Sequence, residues 1–422
     1  MDRVTNNLIR NNFLHHTGRH QANMEKTERQ IASQRKIVLP EDDPVATGQV
    51  MFQKSRLNEL GRYQRNIDFS KGRLDLTEER VKQVNNILQR ARELAVQGAN
   101  GIYTGDDRKK LGAEVDQLLE QAIQIANSQY KGESLFGGTR TEQEPFKISY
   151  GKITDPQTGE VHWGGESVVK VEYQGDIGKR YAELGRGEYV QTALPGNEVF
   201  WASNQRIVPG TPGTGYVATS DQTIRIDGVE IEIKAGDNLR TVADKINSQH
   251  LNVRAEIDNT TGQNLLILQT TVPHQMQLED LGGGTVLQDL GIVSSAVAKP
   301  PYNYAPSAAV HGDSVFDRLI KLRDALYSDK TNEINAGIGG MDQSLDSIQH
   351  HLAKVGSIQN RMDDTEKRIS AQEMYTNEVI ERLNGLDMAD AVTELKNLEM
   401  QYNAALQIGS RLLPKTLLDY LR

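Results

Sequence analysis

Residues 60–98 read LGRYQRNIDFSKGRLDLTEERVKQVNNILQRARELAVQG, and within them apolar or small side chains recur at Leu60, Tyr63, Ile67, Ser70, Leu74, Thr77, Val81, Val84, Leu88, Ala91, Ala95 and Gly98. The steps alternate between three and four, which is a heptad repeat and predicts one long helix with a narrow stripe facing another helix. Beyond the break GANGIYTGDD the pattern resumes at Leu111, Val115, Leu118, Ala122 and Ile125, with Asp106 or Asp107 placed to cap the second helix.

The last third repeats this design. Leu345, Ile348, Leu352, Val355, Met362, Ile369, Ile380 and Leu383 form a stripe in which Ile348, Val355, Met362 and Ile369 step by sevens. Gln359, Glu366 and Glu373 stand where further apolar residues are expected, so this helix is predicted to pack one side against the N-terminal helices. A final stripe runs through Ala391, Leu395, Leu398, Tyr402, Ala405 and Leu412. Each fully buried Leu, Ile or Val is worth about 1.5–3 kcal/mol, and the stripes offset the entropy of ordering long helices only where they meet. The two ends are therefore expected to pair, with the middle of the chain inserted between them.

That middle changes character. From about residue 144 to 300, β-formers alternate with Gly, Pro and Asp, as in GKITDPQTGEVHWGGESVVKVEYQGDIG. TIRIDGVEIEI predicts two strands carrying Ile224, Ile226, Val229, Ile231 and Ile233 around an Asp227-Gly228 turn. A helix in DNLRTVADKINSQ and a strand in LLILQT complete a small α+β unit, with WASNQRIVPGTPGTGY read as the linker before it. The expected fold is α+β and multidomain: an elongated helical rod of paired N- and C-terminal coiled-coil helices with an inserted β-rich head.

Composition agrees with narrow stripes. Of 422 residues, 37% are hydrophobic and 5% aromatic, and the mean hydropathy is −0.57, too little apolar matter for a thick globular centre. The net charge of −9, with acids and bases interspersed, argues against nucleic acid and against a basic membrane-surface patch. The absence of cysteine excludes disulfides, thiolate metal sites and cysteine nucleophiles. MDRVTNNLIRNNFLHHTGRH has no uninterrupted apolar stretch or small-residue cleavage pattern, so a general secretory signal is not expected, and no run of about 18 apolar residues suggests membrane insertion.

Three segments then carry a resemblance. IASQRKIVLPEDDPVATGQV, LQRARELAVQGANGIYTGDDRKKLGAEV and IANSQYKGESLFGGT resemble, in order and spacing, the N-terminal region of flagellins and flagellin-like hook-associated proteins. The acidic-Pro turn is Asp42, Asp43 and Pro44, the Arg-Glu-Leu-Ala-Val-Gln run is Arg92 to Gln97, and Leu-Phe-Gly-Gly is Leu135 to Gly138. LKNLEMQYNAALQIGSRLLPKTLLDYL is similar to the family's final helix, and Thr223 to about Ile292 to its small insertion domain. VKVEYQGDIGKR, LPGNEVF and the head size resemble members at the hook-filament junction more than filament flagellin. RKIVLPEDDP departs from relatives in carrying Ile-Val-Leu where small polar residues are usual.

The resemblance implies a non-enzymatic structural protein exported by the flagellar type III apparatus and assembled as an axial ring. Its expected partners are further copies of itself, the other hook-associated junction protein, flagellin and an export chaperone, and its expected place is the flagellum, external or periplasmic. The expected layout is 1–40 as an assembly segment disordered in isolation, 41–143 as N-terminal rod helices and 144–300 as head, with 222–292 as the insertion domain. Residues 301–384 follow as the C-terminal rod helix and 385–422 as the assembly helix. Residues 1–35 are polar with only a sparse stripe (Val4, Leu8, Met24, Ile31), so folding coupled to binding is physically sensible. Val4, Leu8, Leu395, Leu398, Tyr402, Ala405, Leu412, Leu417 and Leu418 are the expected assembly interface.

Sharper chemical readings are weaker. His15, His16 and His20 lack a third ligand in any metal-binding arrangement. Gly282 to Gly284 lack the Lys-Ser/Thr of a phosphate loop, and Asn259-Thr260-Thr261 matches a glycosylation triplet of a kind common by chance. Asp42 and Asp43 are better explained by a turn before Pro44 than by acid-base chemistry. No catalytic residue, cofactor or metal is expected. A filament flagellin, a stalked adhesin or ligand-binding module, and an ordinary intramolecular coiled coil with no assembly role stand as alternatives.

Overall fold

The computed structural model describes residues 2–153, 166–260 and 262–412. The N-terminal helices are α1 (Asp2–Ser33), α2 (Pro44–Ala99) and α3 (Gly105–Ala126), followed by the strands β1 (Gln129–Tyr130), β2 (Glu133–Ser134), β3 (Phe146–Gly151), β4 (Ser167–Tyr173), β5 (Tyr181–Gly185) and β6 (Glu188–Gln191). Helix α4 (Gly196–Val199) leads to β7 (Arg206–Val208), β8 (Gln222–Ile226), β9 (Val229–Ile233), α5 (Leu239–Ser248), β10 (Val253–Asp258), β11 (Leu265–Thr270), β12 (Leu278–Leu281) and α6 (Val286–Asp289). The chain closes through β13 (Ala309–His311), α7 (Val315–Tyr327), α8 (Thr331–Asn384) and α9 (Met388–Leu412). It divides into two compact units, residues 1–65 with 365–422, and residues 66–364. Helical N- and C-terminal regions thus enclose a β-containing insertion, a mixed α+β architecture.

Every position of the stripe from Leu60 to Gly98 is buried along α2. Within the larger unit its partner is α8, antiparallel to it: Lys71 meets Asp363 at 2.6 Å, the Gln359 amide donates to Asp75 at 2.8 Å and Arg92 meets Asp342 at 2.5 Å. The heptad positions Ile334, Met341, Ile348, Val355 and Met362 are each fully buried. Gly337, Ser344, His351, Ile358 and Thr365 occupy the alternate seam positions, and of these Ser344, His351 and Thr365 are buried. The expectation had placed the weak seam one residue later, at Gln359 and Glu366. Those side chains instead hydrogen-bond across the edge of the seam, Gln359 to Asp75 and Glu78, and Glu366 with the amide of Gln64.

Helix α3 starts from a capping box. Thr104 is the N-cap, its hydroxyl accepting from the Asp107 N–H while the Asp107 carboxylate reaches back to Thr104, so the cap lies two residues before the acids expected to supply it. Arg108 then ties the helix start to the Gly98 carbonyl at 2.7 Å and to Asp329. Helix α7 has the same device in Ser314 and Asp317.

The hairpin read in TIRIDGVEIEI is present. β8 and β9 pair antiparallel around Asp227 and Gly228, whose φ values of 47° and 81° are the left-handed pair of a tight hairpin turn. Ile224, Ile226, Ile231 and Ile233 point into one core with Val242 and Ile246 of α5, Leu266 and Leu268 of β11, and Leu278 of β12. The stretch read as a linker is not one: Arg206–Val208 is β7, the strand between β11 and β13 in the sheet β10-β11-β7-β13, and Trp201 bridges to Ser314. Three residues flanked by Pro and Gly carry no local signal of that role, because the strand is stabilised only by neighbours about 60 and 100 positions away.

The turn of β8 and β9 is held by a histidine. His274 is 6% exposed, and its Nε2 lies 2.8 Å from the Asp227 carboxylate and its Nδ1 2.9 Å from the Val272 carbonyl. Both neighbours accept, an arrangement that a doubly protonated ring satisfies on both sides. Burial alone lowers its pKa, but the bond and charge of Asp227 outweigh that and raise it above the ordinary value. A raised folded-state pKa gives stabilisation that is complete below the unfolded value of about 6.5 and is lost as pH rises through the folded value. We expect urea midpoints of the wild type to fall between pH 6 and 9 relative to those of His274→Gln. Parallel curves for the two proteins across that range would refute the charged pair.

Candidate assembly interface

The two terminal helices, α1 and α9, pack on each other within the smaller unit. On α1, Phe13, Thr17, His20, Met24, Thr27 and Ile31 form a half-buried to buried face, spaced by fours and threes. On α9 the matching face is Ala391, Leu395, Leu398, Tyr402, Ala405 and Gly409. Gly409 lies directly under the Phe13 ring, where an added Cβ would overlap the ring carbons. The segment between α1 and α2 is fastened to the α8–α9 corner: Arg35 bridges to Gly385, and the Lys36 and Ile37 N–H groups donate to the Asn384 carbonyl and side chain at 3.0 and 2.7 Å.

The acidic-Pro turn does local work. Asp42 accepts from the Val38 and Leu39 N–H groups at 3.1 and 2.9 Å and pairs with Lys26 at 3.1 Å, and Asp43 accepts from Ala46 at 2.9 Å at the start of α2. The Leu39 N–H bond, helped by Val38 and Lys26 against the opposing effect of burial, holds the Asp42 carboxyl below its usual range.

The sequence-derived interface residues fall into three groups. Leu395, Leu398, Tyr402 and Ala405 lie on the face of α9 half-buried against α1. Leu8 is 60% exposed on α1. Val4 and Leu412 lie on α1 and α9, and Leu417 and Leu418 lie outside the described residues. The structure adds residues that the stripe does not contain: Val45, Met51 and Phe52 on α2, Met374 and Tyr375 on α8, and Met400, Leu406 and Ile408 on α9 are all exposed. Among the described residues, twelve of the 24 exposed large hydrophobic side chains belong to the smaller unit, which holds under a third of the chain. Their signal in the sequence was an apolar residue off the heptad face, which periodicity discards.

Nothing in the described residues suggests a reactive centre. No group of three or more His, Cys, Asp or Glu side chains is placed to hold a metal ion, and His15 and His16 are both exposed. Gly282 and Gly283 have φ of 62° and 82° and form a turn after β12. No helix among the described residues is long and apolar enough to cross a membrane.

Comparison with known proteins agrees with this layout. The bacterial flagellin N-terminal helical region matches residues 4–141, the flagellin hook IN motif 216–271 and the bacterial flagellin C-terminal helical region 338–421. The chain is 30% identical over 133 residues to flagellar hook-associated protein 3 of Escherichia coli K12, covering 31% of this chain and 42% of that protein. It is 29% identical over 151 residues to the protein of the same name from Salmonella typhimurium, covering 36% and 45%. The matches thus span less than half the length of these curated relatives. A crystal structure of flagellar hook associated protein-3 from Legionella pneumophila aligns at 16% identity and a TM-score of 0.47, over 79% of this chain and 98% of that one. With the N-terminal helical region, hook IN motif and C-terminal helical region of flagellins in that order, the chain belongs to the flagellin-like family of flagellar structural proteins.

Proposed function

We propose that this protein joins the flagellar hook to the filament, as an axial ring of copies of itself between another hook-associated protein and flagellin. The observation that carries the reading is the concentration of exposed apolar side chains in the unit of residues 1–65 with 365–422. Each is worth about 1.5–3 kcal/mol when covered, so lateral and axial neighbours, repeated around a ring, would bury what a single copy leaves in water. Export is through the flagellar type III apparatus with a chaperone, and residues 1–40 order fully only on assembly. α1 supports this: it is polar around most of its circumference and relies on α9 for its one packed face. The product is an extracellular part of the flagellum.

Deleting the gene, imaging the cell envelope by electron microscopy and assaying released flagellin tests the reading. Complete hooks without filaments, with flagellin shed unassembled, are expected. Loss of the flagellin pool itself would make this the filament subunit, and normal filaments and motility would refute both. A finer test is Met400→Asp on the exposed face of α9, 62% accessible in the isolated chain. We expect an unchanged unfolding midpoint and at least tenfold less incorporation into flagella; wild-type incorporation would remove α9 from the interface.

A further inference from the structure

Within the unit of residues 66–364, segment 196–201 is a wedge with different neighbours on its two sides. On one side α8 presents Ser347, His351 and Lys354, spaced by four and three and so on one face of the helix. The Ser347 hydroxyl donates to the Trp201 carbonyl at 2.9 Å, Lys354 meets Glu198 at 3.4 Å, and the His351 ring lies against the Glu198 backbone and carboxylate. On the other side Asn197 exchanges two bonds of 3.2 Å with Gln275, its carbonyl accepting from the Gln275 N–H and its amide donating to the Gln275 carbonyl. Gln275 belongs to the insertion domain, whose core the adjacent Met276 enters. The chain enters and leaves that domain beside the wedge, where the Ala202 N–H donates to the Asp313 carbonyl at 2.9 Å. A further bond, from the Tyr173 N–H to the Tyr302 hydroxyl at 3.1 Å, stays uncharged, since burial pushes that hydroxyl up to about 12.

His351 is 7% exposed, and its Nδ1 has no hydrogen-bond partner among the described residues, so a proton added there meets no acceptor. Lys354 and His350 on α8 oppose the added charge. Glu198 favours it but is already shared between Lys354 and Lys179, the latter at 3.1 Å. Across the cleft the insertion domain presents His250, and His274 bonded to Asp227, while Asp346 on α8 is exposed to solvent. Burial first, then Lys354, pushes His351 down to about 4, so the ring is neutral at pH 7.

A folded-state value below the unfolded one of about 6.5 gives stabilisation that is complete above it and is lost as pH falls toward the folded value. Opening the wedge frees the ring, so the ratio of closed to open forms should fall about a hundredfold between pH 7 and 4. Groups inside the insertion domain have the opposite sign. Burial pushes Asp280 up to about 6, and against burial the bond to Asp227 raises His274. Both hold their protons more tightly in the folded domain, which acid therefore favours. We propose that the α8 face of Ser347, His351 and Lys354 is an acid-released latch, which in mild acid lets go of the wedge so that the insertion domain leaves its seat still folded.

Hydrogen exchange of the full chain at pH 7 and 4.5, read by mass spectrometry and corrected for intrinsic rates, tests this. Amides of segment 196–201 and of Gln275 should lose at least tenfold in protection at the lower pH, while β8, β9 and β11 keep theirs. His351→Gln, neutral at every pH, should abolish the acid effect at those amides. If that variant does not fold, Lys354→Gln, which removes the bond to Glu198 at a partly exposed position, should loosen the same amides already at pH 7. Equal protection at the two pH values, loss shared with β8, β9 and β11, an undiminished acid effect in His351→Gln, or unchanged exchange in Lys354→Gln would overturn the proposal. The outcome is independent of the hook-filament reading, which the deletion phenotype tests.

Discussion

Arg323→Ala is expected to lower the stability of the larger unit by about 3–5 kcal/mol, the loss typical of removing one partner from a buried ion pair. Arg323 on α7 has no exposed surface. Its guanidinium donates to Asp116 of α3 at 2.7 Å and to the Val168 carbonyl of β4 at 2.8 Å, and it meets Asp324 at 2.8 Å. One side chain thus joins two helices to the β3–β4 hairpin. Truncation leaves the Asp116 carboxylate, 15% exposed, without its cation and the carbonyl without a donor. Arg323→Met keeps much of the volume and should recover part of the loss. Urea unfolding followed by far-UV circular dichroism reads the midpoint, and a change below about 1 kcal/mol for the alanine variant would show that solvent replaces the arginine.

The second large effect belongs to the Leu-Phe-Gly-Gly motif. Gly138→Val should cost about 2–5 kcal/mol, from a left-handed backbone forced on a β-branched residue and from overlap with its neighbours. Gly138 has φ of 70°, and the space a Cβ would enter is filled by the carboxylate and carbonyl of Asp176. Asp176 cannot yield easily, because it accepts from the Thr139 N–H at 2.7 Å and the Gly178 N–H at 2.9 Å. Tyr173, whose hydroxyl lies 2.9 Å from the Phe136 carbonyl and 2.8 Å from that of Asp176, holds the loop from below. The adjacent Phe136 sits in a ring cluster with Phe146, Phe200 and Phe316, neighbouring centroids 4.9 to 5.4 Å apart. Loss of near-UV circular dichroism at lower denaturant should report the damage, and an unchanged near-UV transition would mean that the loop re-forms around the valine.

The parts legible in the sequence were those written in local periodicity. The α2 stripe is buried at every expected position because a heptad repeat specifies its own seam, whatever the partner. The β8–β9 hairpin was legible because Asp-Gly permits the left-handed turn that alternating strands require. Leu395, Leu398, Tyr402 and Ala405 lie on one face for the same reason.

Other features had no local signature. β7 exists because β11 and β13 flank it, Arg323 is buried because α3 and β4 converge on it, and the His274 ring is held at Nε2 because a turn 47 residues earlier presents a carboxylate. Sequence alone determined which helices and hairpins form, since those rest on interactions a few residues apart. Tertiary structure decided which side chains are left buried, charged or unpartnered, because desolvation and pairing depend on neighbours that only the folded chain brings together.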